Sequence, residues 1–229
     1  MVRTLARCGA SVIVHYHRNR ARADALVAEI SGIGVKAFAV QADVTDESSV
    51  NAMRDAVGVA LGTPDIIVNN AVIPHEWASV AEQTPEVYEG QFRSSVMHSV
   101  LMVKAFLPAL IERKWGRIIA IGTDCAMQNF PGQSAYVAGK RGMDGVLRVL
   151  AREAGPHGIT VNQVAPGWMI SDRERVGGTI GRTAYEIPLG HRGQDQDVAN
   201  AVAFLASDLA SFITGAILPV CGGTVMPTI

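Results

Sequence analysis

Cysteine, net charge and long apolar runs are all scarce in this sequence. Its three cysteines, Cys8, Cys125 and Cys221, are odd in number and lack metal-ligand spacing, which argues against both a disulfide framework and a metal site. We interpret them as reduced thiols of a cytoplasmic protein. The 20 basic and 21 acidic residues leave a formal net charge of −1. Because no basic run is long, we expect no nucleic-acid partner and no membrane surface.

We also expect no apolar stretch of transmembrane length, and the N-terminus lacks the apolar core of a signal peptide. The chain is 48% hydrophobic over 229 residues, which is enough to bury a substantial core. No repeat, low-complexity tract or linker divides it. We therefore predict a single domain over residues 1–229.

Short β-rich runs alternate with longer helical patterns along the chain. The predicted strands are 10–16, 35–41, 65–68, 116–121, 158–164 and 216–220. Predicted helices cover 20–30, 46–61, 85–114 and 195–206, and another extends from before residue 136 to residue 154. Strands that alternate with helices of this length predict an α/β fold, with one doubly wound parallel sheet and helices on both faces.

Polar and turn-forming residues follow four of the predicted strands. Any one of these motifs is explained by turn chemistry alone. Four in succession favour a ligand site, because ligands of such sheets bind beyond the carboxyl ends of the strands. The motifs are Asp43-Val44, Asn69-Asn70-Ala71, Gly122-Thr123 and Ala165-Pro166-Gly167.

Tyr136 and Lys140 are four residues apart in a predicted helix, so they share one face. A nearby ammonium group favours the phenolate, and this lowers the tyrosine pKa from about 10 towards the range of a general acid/base. An exposed helical pair of no function has the same spacing. The strand-end motifs favour the catalytic interpretation.

Together these motifs resemble the short-chain dehydrogenase/reductase family, and within it the 3-oxoacyl-acyl-carrier-protein reductases. The resemblance runs from one end of the chain to the other. It implies a Rossmann-like fold and hydride transfer between a nicotinamide cofactor and a small-molecule carbonyl or alcohol. The further matching stretches are Asn162 to Gly167, Ile187 to Gly190, Val198 to Ser207, Ile213 to Gly215 and Gly222-Gly223.

The resemblance implies a role for each site residue. Tyr136 would be the general acid/base, Lys140 would lower its pKa and bind the nicotinamide ribose, and Thr123 would hold the substrate oxygen. A positioned acid and a second donor stabilise the negative charge that hydride delivery builds on that oxygen. The implied cofactor contacts are Asp43, Val44, Asn69, Ala71, Tyr136, Lys140, Pro166, Gly167 and Ser171.

The end of the first predicted strand bears on the choice of cofactor. An acidic side chain there suits the ribose 2′-hydroxyl of NAD, whereas a basic one suits the 2′-phosphate of NADP. This sequence offers His17 and Arg18 and no carboxylate. We therefore expect NADP(H) in preference to NAD(H), with Arg18 on the phosphate. The alternative is a solvated basic turn at the start of the next helix.

Several positions depart from the family pattern. Ser95 stands where the family has an active-site asparagine that fixes a helix bend and a proton-relay water, so a relay here would be weakened or rebuilt. Thr123 replaces a serine, Val72 a glycine, Ser171 a threonine and Cys221 an acid. These departures lower the expectation of ordinary carbonyl reductase activity.

The largest departure is at the N-terminus. The family begins with a strand and a Gly-x-x-x-Gly-x-Gly turn that cradles the cofactor pyrophosphate, whereas residues 1–9 match only the end of the following helix. Either Met1 is internal to a longer protein, or the short form is natural and its sheet closes up or recruits a partner's strand. We expect a gap of about 10 Å between strands, and weak dinucleotide binding by this chain.

Two further expectations concern the substrate and assembly. Residues 166–192 form either a mobile lid with glycine hinges or a glycine-rich surface loop. The apolar faces of the long helix and of the Tyr136 helix predict a homodimer or homotetramer. A catalytically silent binding or assembly subunit is the alternative to an enzyme. Candidate pocket residues are Trp77, Met127, Trp168, Met169, Ile170 and Tyr185.

Overall fold

The protein is an α/β domain, seen in a computed structural model that describes residues 1–74, 76–170 and 187–226. Six strands are present in that part of the chain: β1 (Val12–Tyr16), β2 (Ala37–Gln41), β3 (Ile66–Asn69), β4 (Gly116–Ile121), β5 (Ile159–Pro166) and β6 (Ile217–Val220). The helices there are α1 (Val2–Arg7), α2 (Arg20–Ser31), α3 (Glu47–Ala60), α4 (Pro85–Phe92), α5 (His98–Arg113), α6 (Cys125–Gln128), α7 (Ser134–Ala154) and α8 (Asp195–Ala206). The predicted fold class and order of elements are confirmed.

Two of the helices, α2 and α3, begin at residues whose side chains cap the first turn. The Asn19 side chain accepts a hydrogen bond from the Arg22 N–H at 3.0 Å and starts α2. Asp46 does the same for α3 through the Ser49 N–H, at 2.7 Å. Each cap satisfies a backbone donor that the first helical turn leaves unpaired.

The strands form two parallel sheets rather than one. β1 pairs with β2, and a separate sheet has the order β3-β4-β5-β6. In the larger sheet Val68 lies opposite Ile119, and Gln163 lies opposite both Ala120 and Ile217. Since the pairing is parallel throughout, the strand ends that carry the predicted motifs in the larger sheet share one edge.

An open cleft separates β1 from β3 in the described structure. The edges of both sheets line it, and its volume is about 730 Å³. The expected gap between strands is therefore present. The alternative in which the sheet closes up is wrong for this structure, because helices hold the two sheets apart: Leu5 of α1 packs in the core beside β3 and β6, and Val57 of α3 packs below β2.

The core lies on both faces of the larger sheet. On one face α3, α5 and α7 pack in a cluster that contains Phe106, Ile118 and Leu147. On the other face α8 packs Val202 and Leu205 against the sheet. Burial on both faces explains the apolar run from Ile118 to Ile121 in β4, whereas β5 is buried although it carries Thr160, Asn162 and Gln163.

The long helical region predicted at 85–114 is interrupted, because a π-helical turn, Arg93–Met97, separates α4 from α5. By length and composition alone, Pro85–Arg113 would be able to cross a membrane. The expectation that no apolar stretch reaches that length is therefore wrong. The stretch is a core helix here, because Leu101, Phe106 and Leu110 are buried in the main cluster.

Candidate active site

Thr123 lies just beyond β4, where the strand gives way to a short loop. The Gly122 N–H donates to the Val164 carbonyl at 2.7 Å, which extends the β4–β5 ladder to the residue before Thr123. The Thr123 side chain is buried, and its Oγ1 accepts from the Cys125 N–H at 3.2 Å. Its β-branched side chain has few rotamers, so the hydroxyl is held at the strand end.

Tyr136 and Lys140 approach this hydroxyl from α7. The Thr123 and Tyr136 hydroxyls are hydrogen-bonded to each other, and the Lys140 Nζ lies 5.9 Å from the centre of the Tyr136 ring. The Lys140 Nζ donates to the Ile121 carbonyl at 2.8 Å. The structure thus brings the three predicted side chains together at the carboxyl end of β4.

The pKa of Tyr136 departs from expectation. Burial raises the pKa of Tyr136 above 10, and this exceeds the lowering by the hydrogen bond from Thr123. The expected lowering by Lys140 is wrong for this structure, since the ammonium group is directed at the Ile121 carbonyl rather than at the phenol. Tyr136 is consequently protonated at neutral pH.

Lys140 is buried and has no carboxylate partner among the described residues. Burial lowers the pKa of Lys140 from 10.5 to about 8, because desolvation disfavours its charged form. The group is therefore close to titrating at physiological pH, with one backbone carbonyl to stabilise its charge. Such perturbed groups are typical of functional sites.

Asp124 is a site residue that the sequence interpretation missed. It is buried directly after Thr123, and its Oδ2 accepts from Gln128 Nε2 at 2.6 Å and from Thr224 Oγ1 at 3.0 Å. Burial raises the pKa of Asp124, and its charge adds to the raised pKa of Tyr136. Only its place after Thr123 would have indicated it.

Ser95 lies in the π-helical turn with 2% of its surface exposed, and its Oγ has no hydrogen-bond partner.

His98, which begins α5, is also buried, and the sequence did not predict it as a site residue. Its Nδ1 lies 3.2 Å from the Ser94 carbonyl, so Nδ1 carries the proton. Burial lowers the pKa of His98 to about 4, and the neutral ring lines the cleft.

The basic residues predicted to choose the cofactor lie after β1. His17 Nε2 is 3.9 Å from Asp43 Oδ2, and Arg18 is exposed nearby. Two hydrogen bonds from Thr45 are the main cause of the lowered pKa of Asp43, and the charges of His17 and Arg18 contribute. Asp43 is therefore ionised, and His17, which lies beside it, lines the cleft.

Two of the remaining predicted contacts, Val44 and Ala71, line the cleft together with Val72. Asn69 is not among the lining residues. Asn69, at the end of β3, is 3% exposed, and neither amide atom has a hydrogen-bond partner. A buried amide without partners is costly, so Asn69 indicates a missing donor and acceptor at this strand end.

Gly167 follows β5, and the structure explains why a glycine stands there. A Cβ at this position would lie 2.7 Å from the Cβ of Cys221 and 2.9 Å from Asp124 Oδ2. The Pro166 carbonyl accepts from the Asp124 N–H at 3.0 Å. Pro166 and Gly167 therefore join the β5 end to the Thr123 loop, while Ser171 lies outside the described residues.

The predicted pocket walls are only partly described. Trp168 packs edge-on against Phe130, with ring centres 6.3 Å apart, and Trp77 is more than half exposed. Met127 lines a separate cavity of about 20 Å³ beside Lys140, which has room for one water. Tyr185 and most of the predicted lid lie outside the described residues, and the described part holds no cluster of metal ligands.

The residues present fit a dinucleotide at its two ends and not in its middle. His17 and Val44, the sequence neighbours of Arg18 and Asp43, line the cleft, and Tyr136 and Lys140 lie beyond β4. Among the described residues, the only glycine that lines the cleft is Gly62, so no glycine-rich turn in that part of the chain presents backbone N–H groups to a pyrophosphate there. This parallel α/β architecture, with a tyrosine, a lysine and a hydroxyl beyond the strand ends, defines a Rossmann-type oxidoreductase.

Comparisons with known proteins specify the family. A family model described as enoyl-(acyl carrier protein) reductase matches residues 1–225. The 3-oxoacyl-(acyl-carrier-protein) reductase FabG of Staphylococcus aureus is 37% identical over 224 residues, which cover 97% of this chain and 91% of that protein. FabG of Pseudomonas aeruginosa is 36% identical, with coverages of 97% and 90%.

A solved structure agrees with these relatives. The blue fluorescent protein from a metagenomic library, in complex with NADPH, is 34% identical, has a TM-score of 0.89, and matches 98% of this chain and 92% of its own. This chain belongs to the short-chain dehydrogenase/reductase family and is an NAD(P)-dependent enzyme of that family. The predicted family is confirmed.

Proposed function

We propose that the chain reduces a small-molecule carbonyl, or oxidises the corresponding alcohol, with NADP(H) as cofactor. The contact between the Thr123 and Tyr136 hydroxyls beside the buried Lys140 supports this proposal most directly. Two hydroxyl groups that converge on one point can both bond to a carbonyl oxygen. When bound, the nicotinamide supplies or accepts the hydride.

Tyr136 is the proposed general acid. Because its pKa is raised, its hydroxyl is protonated at neutral pH and can donate to the alkoxide that forms as a carbonyl is reduced. Thr123 donates the second hydrogen bond to the same oxygen. Lys140 binds the nicotinamide ribose through an ammonium that the Ile121 carbonyl already orients.

NADP(H) is favoured over NAD(H) because the turn after β1 carries His17 and Arg18 and no carboxylate. Arg18 is exposed and close enough to contribute to the lowered pKa of Asp43, so it can meet a 2′-phosphate at the same end of the cleft. NADPH should therefore bind more tightly than NADH. Equal affinities in parallel titrations would contradict this preference.

The relatives suggest where to look for a substrate. Since the FabG proteins are named as reductases of 3-oxoacyl groups on acyl carrier protein, a 3-oxoacyl thioester is the first carbonyl to assay.

We also propose a homodimer or homotetramer, because Phe92 of α4 and Val149 of α7 are about half exposed. The free cysteines suit a cytoplasmic protein.

Replacing the proposed acid tests the enzyme. Tyr136→Phe removes one oxygen, and turnover of a 3-oxoacyl thioester with millimolar NADPH should fall by about 10³-fold, while the melting temperature stays unchanged. Tyr88→Phe is the matched control, since Tyr88 contacts Ser134 rather than Thr123. Its turnover should stay within about threefold of the parent chain.

A catalytically silent binding or assembly subunit is the second candidate. In the part of the chain that the structure describes, the cleft has no pyrophosphate cradle and the Ser95 Oγ has no hydrogen-bond partner, and both observations favour this candidate. Such a subunit would show no turnover at millimolar NADPH with any 3-oxoacyl thioester, and Tyr136→Phe would change nothing. Turnover that depends on Tyr136 would eliminate this candidate.

A further inference from the structure

Asp124 is a buried carboxylate that the proposed chemistry does not use. It lies directly after Thr123 at the start of the short helix α6, and 2% of its surface is exposed. Buried aspartates are rarely found without a charged partner. None of the ion pairs in the described structure includes Asp124. Its place beside the two catalytic hydroxyls therefore needs another explanation.

Neutral donors surround the Asp124 carboxylate in place of a cation. Its Oδ2 accepts from Gln128 Nε2 at 2.6 Å and from Thr224 Oγ1 at 3.0 Å. Burial raises the pKa of Asp124, and hydrogen bonds from Thr224, Cys125 and Gln128 oppose that shift. Because hydrogen bonds to a charged form favour it, these donors stabilise a negative charge beside Thr123.

The same carboxylate joins segments that follow three different strands. It belongs to the loop after β4, and its bond to Thr224 reaches the segment after β6. The segment after β5 is equally close, since a Cβ at Gly167 would lie 2.9 Å from Asp124 Oδ2. The Asp124 N–H also donates to the Pro166 carbonyl at 3.0 Å. The position of Asp124 therefore sets where the Thr123 loop stands relative to the ends of β5 and β6.

Asp124 also acts on Tyr136 through its charge. Burial is the main cause of the raised pKa of Tyr136, and the charges of Cys125 and Asp124 add to it. Burial also raises the pKa of Cys125 above its usual 9, so that thiol is neutral at pH 7. Asp124 is therefore a negative charge that opposes the phenolate at neutral pH.

The other titratable groups on the elements around Tyr136 have different roles. The hydroxyl of Tyr88, on α4, contacts Ser134, and His98, on α5, is neutral because burial lowers its pKa to about 4. Lys140, on the same helix, donates to the Ile121 carbonyl. Solvent screens the exposed charges of α4 and of the π-helical turn, which are Glu86, Glu89 and Arg93.

We infer that Asp124 is a positioning residue of the proposed reductase site: its bonds hold the segment after β6 against the Thr123 loop, and its negative charge opposes a second one on Tyr136. The inference rests on the proposed function, in which Tyr136 donates a proton to the nascent alkoxide. An anion that disfavours the phenolate keeps that proton available up to a higher pH.

Removing the charge tests the electrostatic role. Asp124→Asn keeps the shape of the side chain, and the pH above which reduction of a 3-oxoacyl thioester declines should fall by about 0.5–1 unit, whatever the turnover at pH 7. Glu153→Gln is the matched control, because it removes an exposed negative charge about 25 Å away along α7. Its pH profile should coincide with that of the parent chain. A coincident profile for Asp124→Asn would overturn the inference.

A spectroscopic titration decides the same question without turnover. The ultraviolet absorbance of tyrosinate, after subtraction of the matching Tyr136→Phe protein, reports the phenolate at Tyr136. At about pH 10, the ordinary pKa of tyrosine, Asp124→Asn should hold a larger phenolate fraction than the parent chain. Equal fractions would overturn the inference even in an active enzyme. A larger fraction in a chain without turnover would support the charge effect and count against the proposed reductase. Asp124→Ser replaces Asp124→Asn if circular dichroism shows that the latter is unfolded.

Thr224 tests the bonds separately from the charge. Thr224→Val removes the hydroxyl that Oδ2 accepts from and leaves Asp124 in place. We expect kcat to fall by about three- to tenfold through displacement of the Thr123 loop, with no change in the pH at which reduction declines. Thr224→Ser restores the hydroxyl and should recover turnover. An unchanged kcat in Thr224→Val would overturn the positioning role of this bond.

Discussion

At the residue scale, Lys140 holds a charge where the fold disfavours it. Its pKa is about 8 in the folded chain against 10.5 ordinarily, so the unfolded chain binds the proton more tightly. The folded state is therefore penalised at pH 7 and recovers stability as the pH rises from 8 to 10.5. The proposed contact between Lys140 and the cofactor ribose would explain why a lysine that destabilises the fold stands at this position.

Replacing Lys140 by methionine should therefore stabilise the protein. We expect Lys140→Met to raise the free energy of unfolding at pH 7 by about 1–2 kcal/mol, less than the shift alone would give, because the bond to the Ile121 carbonyl is lost. Urea denaturation at pH 7 and pH 10 measures this, and the gain should shrink at pH 10. A less stable variant at pH 7 would show that the ammonium contributes net stability.

His98 predicts the response to acid. Its pKa is about 4 in the folded chain against 6.5 ordinarily, so the unfolded chain takes up the proton first as the pH falls. Stability due to His98 is present above pH 6.5 and is lost towards pH 4.

Between pH 7 and pH 5 we expect this residue to cost the parent chain about 2 kcal/mol. His98→Gln should be less sensitive to acid by that amount in urea denaturation, whatever its stability at pH 7. Identical losses in the two proteins would mean that His98 is not the acid-sensitive group.

At the element scale, the position of α7 depends on close contact with α4. A Cβ at Gly139 would lie 2.7 Å from the Gln91 carbonyl oxygen, and one at Gly142 would lie 2.9 Å from a methyl group of Val96. Gly139 immediately precedes Lys140. The close approach therefore also sets where Tyr136 and Lys140 stand relative to β4.

Two glycines of the same helix allow a matched comparison. Gly139→Ala should lower the free energy of unfolding by about 1–3 kcal/mol through overpacking. Gly145→Ala, where nothing lies within 4 Å, should raise it by about 0.5–1 kcal/mol through helix propensity. Equal effects in urea denaturation would show that the helices are free to separate.

At the scale of the whole molecule, we expect the split sheet to limit cofactor binding. The described residues around the cleft offer contacts for the two ends of a dinucleotide but no glycine-rich turn for its pyrophosphate. We expect the 229-residue chain to bind NADPH with a Kd weaker than about 100 μM. A fluorescence titration measures this, with the catalytic variant Tyr136→Phe as a control for binding without turnover.

Micromolar binding of NADPH by this chain would contradict that prediction.

The sequence alone predicted the elements because their signals are local. Apolar runs such as that of β4 and caps such as Asn19 and Asp46 lie within a few residues of what they determine. Thr123, Tyr136 and Lys140 were predicted from strand-end position, helical spacing and family resemblance. The structure places them together without a change of assignment.

Only the tertiary structure decided the properties that depend on distant neighbours. Burial depends on residues from the whole fold, so it reversed the expected pKa shift of Tyr136. It also revealed His98, which no local pattern marks, and Asp124, which only its place after Thr123 indicates. Whether β1 and β3 close the gap between them depends on the helices that pack across both sheets. The sequence determined the chain's strands, helices and family, while three-dimensional packing determined its charge states and its open cleft, because desolvation and pairing are set by residues far apart along the chain.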